Sequence, residues 1–480
     1  MQKLSDGLIL VVKRECATCT MIEPVMAILS KETTQLSVYS QDDSNFLESV
    51  ENVIDDQSLE ISFQLNIETV PTLIKVEGGK EIGRQIGWHK KEWQSLTGIS
   101  SLGDELPDQR PGCGSKSVEP GVWEALSIRF GTTRFQSRQL ELTSLEDDIE
   151  ACFDRGWTDG LPVVPPTRER VLRMMQGTQR ESEEVIGIIP PNYGKCTVEK
   201  AAINAVMAGC KPEYLPVVIA AIEAACLDAF CMHGLLATTY FSGPIVIVNG
   251  PVRRSINMNS GINALGQGNR ANATIGRALQ LVIRNVGGGK PGEVDRATLG
   301  NPGKFSFCFA EDEENSPWNS LADEYGYANN SSTVTLFAGH GLREIYDQIS
   351  RTPESLVRSF AGCLKSITHP KICMAADAIL VVSPEHANVF KEAGWSKNRL
   401  KQELKKLLTF KGSDIVRGTN GIEEGLPVEF ADIPVIPKFK EDGLIIVHAG
   451  GSAGRFSAAI SGWVASGPTG SQMVSKEILS

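Results

Sequence analysis

The first hundred residues begin with a strand pattern and continue with a helical one. Residues 8–12 form a continuous apolar run of aliphatic side chains, which is typical of a buried strand. Over residues 21–29 apolar side chains recur every three or four positions, which predicts an amphipathic helix. Residues 69–76 then lead through Gly78-Gly79, which predicts a strand, a tight turn and a further strand. The order of these elements favours an α/β domain over residues 1–100.

Residues 122–480 alternate between the same two patterns over a length sufficient for a substantial core. Helical spacing occupies 201–208, 215–230 and 271–283, whereas apolar runs typical of buried strands occupy 244–248, 378–382 and 444–447. Such alternation predicts a larger α/β domain with a mixed or parallel sheet, folding as one body or as two subdomains. This larger domain is the expected catalytic body.

Between the two regions lies a segment, residues 101–121, that is rich in Gly, Pro, Ser and charged residues. This composition predicts a linker. Cys113 stands between two glycines and is expected to be exposed, with Arg110 and Lys116 close enough to stabilise its thiolate. Two hypotheses stay open: Cys113 shuttles on a flexible tether between the first domain and a second site, or it is an ordinary loop cysteine.

Composition narrows the class of protein and its partners. The chain has 480 residues and a net charge of −11, which argues against nucleic acid as a partner. An apolar content of 41% is ordinary for a globular protein, and no run is long and uncharged enough to cross a bilayer. The apolar run at 8–12 is shorter than the core of a secretory signal. The sequence therefore predicts a cytoplasmic protein without a membrane partner.

Eleven cysteines are an odd number, and in a reducing compartment they do not describe a disulfide framework. Most are expected to be small core residues, so chemistry has to be argued thiol by thiol. The strongest pair is Cys16 and Cys19, because the predicted strand ends just before Cys16 and the predicted helix begins there. Unpaired N–H groups and the positive end of the helix dipole favour a thiolate at that position.

These residues resemble the thioredoxin family over residues 5–100. The segment 19–24 has the spacing of the family's Cys-Lys-Met-Ile-Ala-Pro, and the segment 70–73 matches the Ile-Pro-Thr-Leu of its cis-proline loop. The resemblance implies a redox-active dithiol with Pro71 in its catalytic loop. Two departures put generic thioredoxin activity in doubt: Ala17-Thr18 replaces Gly-Pro, and Leu10 stands where the family has a buried acid.

Residues 154–463 are similar to a little-characterised bacterial family associated with thioredoxin-like fusions and with proteins that carry a Sec-Gly-Ser-Cys motif. The matching pieces are residues 156–162, 204–210, 269–277, 384–386 and 394–397. The nearest local echo of the motif is Cys113-Gly114-Ser115-Lys116, whose last position differs. This resemblance implies thiol chemistry.

The larger domain offers further candidates next to charged or polar neighbours. Cys196, beside Lys195 at a predicted helix start, and Cys210, in a Gly-Cys-Lys-Pro turn, are the expected partners of the dithiol, with Cys373 as a further candidate. Glycines before a helix leave two interpretations open, packing at the helix start and an anion site. The expected substrate-binding residues are Asn269, Arg270, Asn272, Arg277 and His386. The four consecutive acids at 311–314 are typical of a solvated face, but they follow a strand pattern, so one of them is a candidate general base.

The leading hypothesis is a thiol-dependent oxidoreductase. Cys16 attacks a disulfide or thio-adduct, Cys19 resolves it, and electrons pass through Cys113 to a thiol of the larger domain acting on a small anionic substrate. The expected cofactor is the redox-active dithiol itself, with no metal site assigned, and the expected partner is an external reductase or low-molecular-weight thiol. Two alternatives remain: a thiol-dependent lyase or hydrolase, and a non-enzymatic metal or organometal binding protein. The oligomeric state, a homo-oligomer among the alternatives, is open.

Overall fold

The computed structural model describes residues 5–33, 35–131, 135–141, 147–328, 330–463 and 470–479. The chain divides into two compact units, Met1–Arg134 and Phe135–Ser480. Both units combine helices with strands, and each contains a sheet with parallel and antiparallel pairings. The predicted mixed α/β class is therefore confirmed.

The first unit has short strands and helices around one sheet. Its strands are β1 (Gly7–Val12), β2 (Leu36–Ser40), β3 (Ile54–Asp55), β4 (Thr69–Val70), β5 (Thr72–Glu77), β6 (Lys80–Ile86), β7 (Trp88–His89), β8 (Gln109–Arg110) and β9 (Cys113–Gly114). Its helices are α1 (Ala17–Met21), α2 (Glu23–Glu32), α3 (Glu60–Gln64), α4 (Lys90–Thr97) and α5 (Val122–Phe130).

The central strand of this sheet is β1, in the order β3-β2-β1-β5-β6. It runs parallel to β2 and antiparallel to β5. Leu10, Val11 and Val12 have no exposed surface, which explains why the strand is apolar throughout instead of alternating. The C-terminal end of β1 delivers the chain to Cys16, so the sheet fixes the position of the dithiol.

Residues 101–121 belong to the first unit, which corrects the expected linker and the expected domain boundary. Their backbone pairs with the unit twice, as β8 with β7 and as β9 with β4. Buried polar bonds anchor the segment further: Gln41 Nε2 donates to Ser115 Oγ at 2.6 Å, and Ser117 Oγ donates to the Ile67 carbonyl at 2.6 Å. Releasing the segment would leave these buried polar groups without hydrogen-bond partners, which is costly. Cys113 is therefore held in place by its neighbours in the chain and is not on a flexible tether.

The second unit contains a seven-stranded sheet and most of the helices. Its strands are β10 (Val185–Ile189), β11 (Gly194–Thr197), β12 (Gly243–Asn249), β13 (Cys308–Ala310), β14 (Thr333–Tyr346), β15 (Ala378–Val382), β16 (Thr409–Phe410), β17 (Ile436–Pro437), β18 (Leu444–His448), β19 (Phe456–Gly462) and β20 (Val474–Glu477). Its helices are α6 (Asp148–Asp154), α7 (Arg168–Met175), α8 (Val198–Ala208), α9 (Leu215–Ala225), α10 (Met232–Ala237), α11 (Val252–Ser255), α12 (Arg270–Asn285), α13 (Leu321–Glu324), α14 (Pro353–Ser366), α15 (Pro384–Glu392), α16 (Lys397–Leu407) and α17 (Gly412–Ile415).

The large sheet has the order β13-β12-β14-β19-β15-β18, with β20 beside β14. Its pairings are parallel between β12 and β13 and between β15 and β18, and antiparallel elsewhere. The three apolar runs predicted as strands are β12, β15 and β18, and the three predicted helices are α8, α9 and α12. The predicted helix at 215–230 ends earlier, at Ala225, where the chain turns.

Side chains alternate between the two faces of the large sheet. Val246 and Val248 pack in one core cluster with helices α8, α9 and α12, whereas Ile245 and Ile247 pack in another with residues of β15 and β18. The two edges of the sheet approach each other, because the Asp312 amide, just after β13, donates to the His448 carbonyl at 2.8 Å. The sheet is therefore strongly curved around the second cluster.

A helix that spans a bilayer has to be long and largely apolar. Among the described residues no single helix is long and apolar enough to do so. A bent pair, Pro212–Ala225 and Asp228–Ala237, passes by length and composition alone, with an angle of 73° at its break. The side chains of α9 are mostly buried in the core of the unit.

Candidate functional site

Cys16 occupies the turn between β1 and α1, as the strand and helix patterns predict. It is the N-cap of α1, and its Sγ accepts a hydrogen bond from the Cys19 amide at 3.4 Å. The same Sγ lies 3.4 Å from the Val70 carbonyl oxygen, to which the thiol form donates. Cys19 follows one helical turn later, and neither side chain has exposed surface.

The two thiols of this pair differ strongly in acidity. Hydrogen bonding by the Cys19 thiol, then by the Cys113 thiol and by the Cys19 and Thr18 amides, lowers the pKa of Cys16 to about 5, against an opposing effect of burial. Burial raises the pKa of Cys19 far above its usual value, and the hydrogen bond to Cys16 and the charge of Cys16 raise it further. Cys16 is therefore the thiolate at neutral pH, and Cys19 is a proton donor to it.

Cys113 completes a centre of three thiols within the first unit. In the pairing of β4 with β9 it lies opposite Val70, the residue whose carbonyl faces Cys16. Its thiol is half-buried and hydrogen-bonds to Cys16, which is the main cause that raises the pKa of Cys113. The hypothesis that Cys113 is a thiol on a flexible tether is wrong, because the β4–β9 pairing holds it beside Cys16.

The residues around Cys113 differ from those expected. Arg110 contacts the sulfur of Met21 at 3.6 Å, and Lys116 lies 3.9 Å from a carboxylate oxygen of Asp42. The cation that lowers the pKa of Cys113 is Lys13, whose Nζ also donates to the Gly114 carbonyl at 2.7 Å. Sequence reasoning missed Lys13, although a lysine just after the strand that leads to Cys16 was a signal for it.

Pro71 lies directly after the strand that carries Val70. The Val70–Pro71 peptide bond is cis, as the proline before the strand suggests. The Pro71 carbonyl accepts a hydrogen bond from the Gly87 amide at 2.8 Å, which ties the loop to β6 and β7. The predicted catalytic residues Cys16, Cys19, Pro71 and Cys113 are thus together in one unit.

Cys196 and Cys210, the expected partners of the dithiol, are core residues of the second unit. They are 0% and 6% exposed and belong to the cluster that packs helices α8, α9 and α12 on the sheet. Burial raises the pKa of each thiol to about 12. Cys373 is similar, since burial raises its pKa as well. The structure therefore offers no thiolate at these positions near neutral pH.

The expected anion site at the start of α12 is occupied by bonds within the chain. Asn269 caps the helix by accepting from the Asn272 amide, and Asn272 in turn holds the backbone of Asn259. Arg277 forms two hydrogen bonds of 2.8 Å with the carboxylate of Asp159. These contacts favour the alternative of helix-start packing, because the polar groups are already paired.

Two further candidates are also engaged within the second unit. Arg270 Nε donates to the Gly209 carbonyl at 2.8 Å. His386 has no exposed surface, and its ring nitrogens lie 2.8 Å from Ser457 Oγ and 3.0 Å from the Asp347 carbonyl. Burial lowers the pKa of His386, so the neutral ring is favoured. Its contacts connect α15 with β19 and with the chain after β14.

Glu311 follows the end of β13, as expected, but it is fully buried. Its Oε2 accepts hydrogen bonds from Asn249 Nδ2 at 2.7 Å and from the Leu321 amide at 2.8 Å. Its Oε1 has no hydrogen-bond partner among the described residues. Burial raises the pKa of this carboxyl, because its charged form loses hydration.

The described residues contain no group of three or more His, Cys, Asp or Glu side chains that could hold a metal ion. Comparison with known proteins adds no relative: no protein-family model, no curated protein and no solved structure matches the chain.

Proposed function

We propose that the first unit catalyses thiol–disulfide exchange, with Cys16 as the nucleophile and Cys19 as its resolving thiol. The observation that carries this proposal is the position of Cys16 at the N-terminus of α1, where its Sγ accepts the Cys19 amide beside the cis-proline loop. The arrangement of strand, Cys-x-x-Cys turn, helix and cis-proline strand is the one that the resemblance to the thioredoxin family implies.

The chemistry follows from the difference between the two thiols. The Cys16 thiolate attacks one sulfur of a disulfide RSSR, so a Cys16–SR bond forms and RS⁻ leaves. Cys19 then passes its proton to a leaving thiolate and attacks Cys16, which releases the second RS⁻. Two electrons move from the dithiol to RSSR, and the products are one RSH, which carries the proton of Cys19, and one RS⁻, which takes a proton from water according to its own pKa. The low pKa of Cys16 also makes it a good leaving group in the reverse direction.

The proposal includes a reducing compartment such as the cytoplasm, with an external reductase or a low-molecular-weight thiol to regenerate the dithiol. Transfer of electrons to the second unit, and an anionic substrate there, remain predictions. The burial of Cys196 and Cys210 does not favour electron transfer to these two thiols.

A trapping experiment tests the proposal. In the full chain, Cys19→Ser removes the resolving thiol, so exposure to oxidised glutathione is expected to leave Cys16 in a disulfide that mass spectrometry of the peptides detects. The full chain with Cys16→Ser is expected to lose the ability to reduce the disulfides of a substrate protein such as insulin. If Cys16 stays a free thiol in Cys19→Ser and in the unsubstituted chain while oxidised glutathione is present in excess, the proposed exchange is wrong.

A further inference from the structure

The segment at residues 110–114 packs against the turn that carries Cys16. Cys16 has no exposed surface, whereas Cys113 is half-buried. The β4–β9 pairing holds the segment at Cys113, and Thr18 Oγ1 donates to the Pro111 carbonyl at 2.7 Å just before it. Cys113 is therefore more accessible to a small dissolved thiol or disulfide than Cys16 is.

The same segment presents a sulfur to the nucleophile. Cys113 lies opposite Val70, whose carbonyl oxygen is 3.4 Å from Cys16 Sγ, and the side chains of Cys113 and Cys16 are near enough for each to shift the pKa of the other. A sulfur that the Cys16 thiolate attacks has to stand in such a position. The chain thus supplies its own first reaction partner for Cys16.

Resting on the proposed exchange chemistry, we propose that Cys113 is the thiol through which this centre exchanges electrons with a dissolved disulfide or thiol, and that a Cys16–Cys113 disulfide is the intermediate. Cys113 is then a catalytic residue, because it contacts the substrate sulfur. Cys16 and Cys19 act behind it, as the internal electron source.

In the first half of the reaction, Cys113 forms a mixed disulfide with one half of RSSR. The Cys113 proton passes to Cys16, whose thiol then donates to the Val70 carbonyl. The Cys113 thiolate attacks RSSR, the Cys113–SR bond forms, the RS–SR bond breaks, and RS⁻ leaves with the proton held by Cys16. Cys16 is a thiolate again and faces the mixed disulfide.

In the second half, the disulfide is transferred from Cys113 to Cys16 and then to the Cys16–Cys19 pair. Cys16 attacks the sulfur of Cys113, so the Cys16–Cys113 bond forms and the second RS⁻ leaves, taking the proton of Cys19. Cys19 attacks Cys16, the Cys16–Cys19 bond forms, and Cys113 leaves as a thiolate. Two electrons and two protons have passed to RSSR, giving two RSH. Oxidation of a dissolved dithiol runs through the same steps in reverse.

The electrostatics of Cys113 fit both directions. The main cause that raises its pKa is the hydrogen bond to the Cys16 thiolate, and this cause disappears once Cys16 is part of a disulfide. Burial, which raises the pKa of Cys113, and Lys13, which lowers it, both remain. In the oxidised form Cys113 is therefore the better thiolate, able to attack the Cys16–Cys19 bond and begin the reverse reaction.

Peptide mapping of the full chain after one treatment with oxidised glutathione distinguishes the intermediates. Trypsin places Cys16 and Cys19 together on residues 15–31 and Cys113 on residues 92–116. In Cys19→Ser, the expected product links these two peptides, because Cys16 stays bonded to Cys113. In Cys16→Ser, the expected product is glutathione on Cys113. Both products are read from acid-quenched, alkylated samples.

The rate of formation of the Cys16–Cys19 disulfide provides the kinetic test. In Cys113→Ser this rate is expected to fall about tenfold or more, because direct attack requires local opening of residues 110–114. Cys363→Ser, which changes a half-buried thiol of the second unit, is the matched control and is expected to keep the wild-type rate. Thermal unfolding of each variant reports whether it is folded.

Three outcomes decide the inference. A wild-type rate in Cys113→Ser, or glutathione on Cys16 without a cross-link in Cys19→Ser, overturns the relay and leaves the proposed exchange at Cys16 intact. Absence of any disulfide at Cys16 in the wild-type chain contradicts the proposed function itself. If Cys113→Ser does not fold, the two mapping products in the other variants still decide between relay and direct attack.

Discussion

Cys16 in the first unit and Cys196 in the second are equally hidden from solvent, yet their thiols have opposite acidities. Each side chain is 0% exposed. Hydrogen bonds lower the pKa of Cys16 to about 5, whereas burial raises that of Cys196 to about 12. Cys16 caps a helix, and N–H and S–H donors lower its pKa, whereas the Cys196 thiol lies within β11 and makes a long contact, 3.7 Å, with the Thr197 carbonyl. Donors, and not exposure, therefore decide which buried cysteine is a thiolate.

The comparison also explains why a cation next door in sequence was a poor guide. Successive side chains of a strand point to opposite faces, so Lys195 is directed away from the side on which Cys196 lies. The cation that affects Cys196 is Lys200, one turn into the following helix, and the cation that affects Cys210 is Arg270 of α12. In both cases the effect is smaller than that of burial.

The largest effect is expected from replacing the nucleophile Cys16, compared with replacing the core residue Cys196. The first change should affect the exchange rate, and the second should affect the stability of the fold. Cys16→Ser is expected to reduce the exchange rate by about a thousandfold or more, because the nucleophile is lost. Cys196→Ser is expected to keep that rate and to lower the free energy of unfolding by about 1–3 kcal/mol, since it buries a hydroxyl without a partner. Disulfide reduction assays and denaturant unfolding measure the two effects. A large loss of exchange in Cys196→Ser would contradict the assignment of this thiol to the core.

The pH dependence of the reduced protein is expected to follow the lowered pKa of Cys16. Its alkylation rate rises with pH with a midpoint near pH 5, the value that hydrogen bonding gives it. The folded chain releases this proton near pH 5 and the unfolded chain near the ordinary value of 9.0, so between these pH values the unfolded chain binds more protons. Stability relative to Cys16→Ser therefore rises with pH over this window and is lost as pH falls to about 5. A pH-independent difference would show that Cys16 is not a thiolate.

A smaller effect is expected from changing the close contact between β9 and β4, which tests whether the position of Cys113 affects the pKa of Cys16. A Cβ at Gly112 would lie 2.6 Å from the Val70 carbonyl oxygen, whereas one at Gly114 meets nothing within 4 Å. Gly112→Ala is therefore expected to displace Cys113, to weaken its hydrogen bond to Cys16 and to raise the pKa of Cys16. Gly114→Ala is the matched control, with a pH profile expected to coincide with the wild type. Identical profiles for both variants would contradict the role of the segment.

The smallest effect is expected from the charge near Cys113. In a Cys16→Ser background, Lys13→Gln is expected to slow alkylation of Cys113 less than about fivefold, because a partly exposed charge contributes about 0.2–1 kcal/mol. Arg110→Gln is the control, since Arg110 contacts Met21 instead. Equal slowing in both variants would assign the effect to net charge and not to the position of Lys13.

Much of the architecture was predictable from local patterns. The apolar runs of β1, β12, β15 and β18 and the helical spacing of α8, α9 and α12 identify these elements correctly, because burial on both faces or on one face leaves a period in the sequence. The Cys-x-x-Cys turn and the proline before β5 likewise mark local geometry that few residues adopt. The order of strands and the curvature of the large sheet depend on pairings between distant residues and leave no such period.

The sequence by itself determined the α/β class, the strand-to-helix turn at Cys16 and the neighbourhood of Pro71, because each depends on residues close together along the chain. Only the tertiary structure decided the fate of the other candidates. It places Cys113 beside Cys16 through the pairing of two short strands, although the Gly- and Pro-rich composition there is that of a linker. It also buries Cys196 and Cys210, pairs Arg277 with Asp159, and places His386 within hydrogen-bond distance of Ser457. The physical reason is that a side chain's acidity and availability are set by neighbours in space, and these come from residues dozens of positions away.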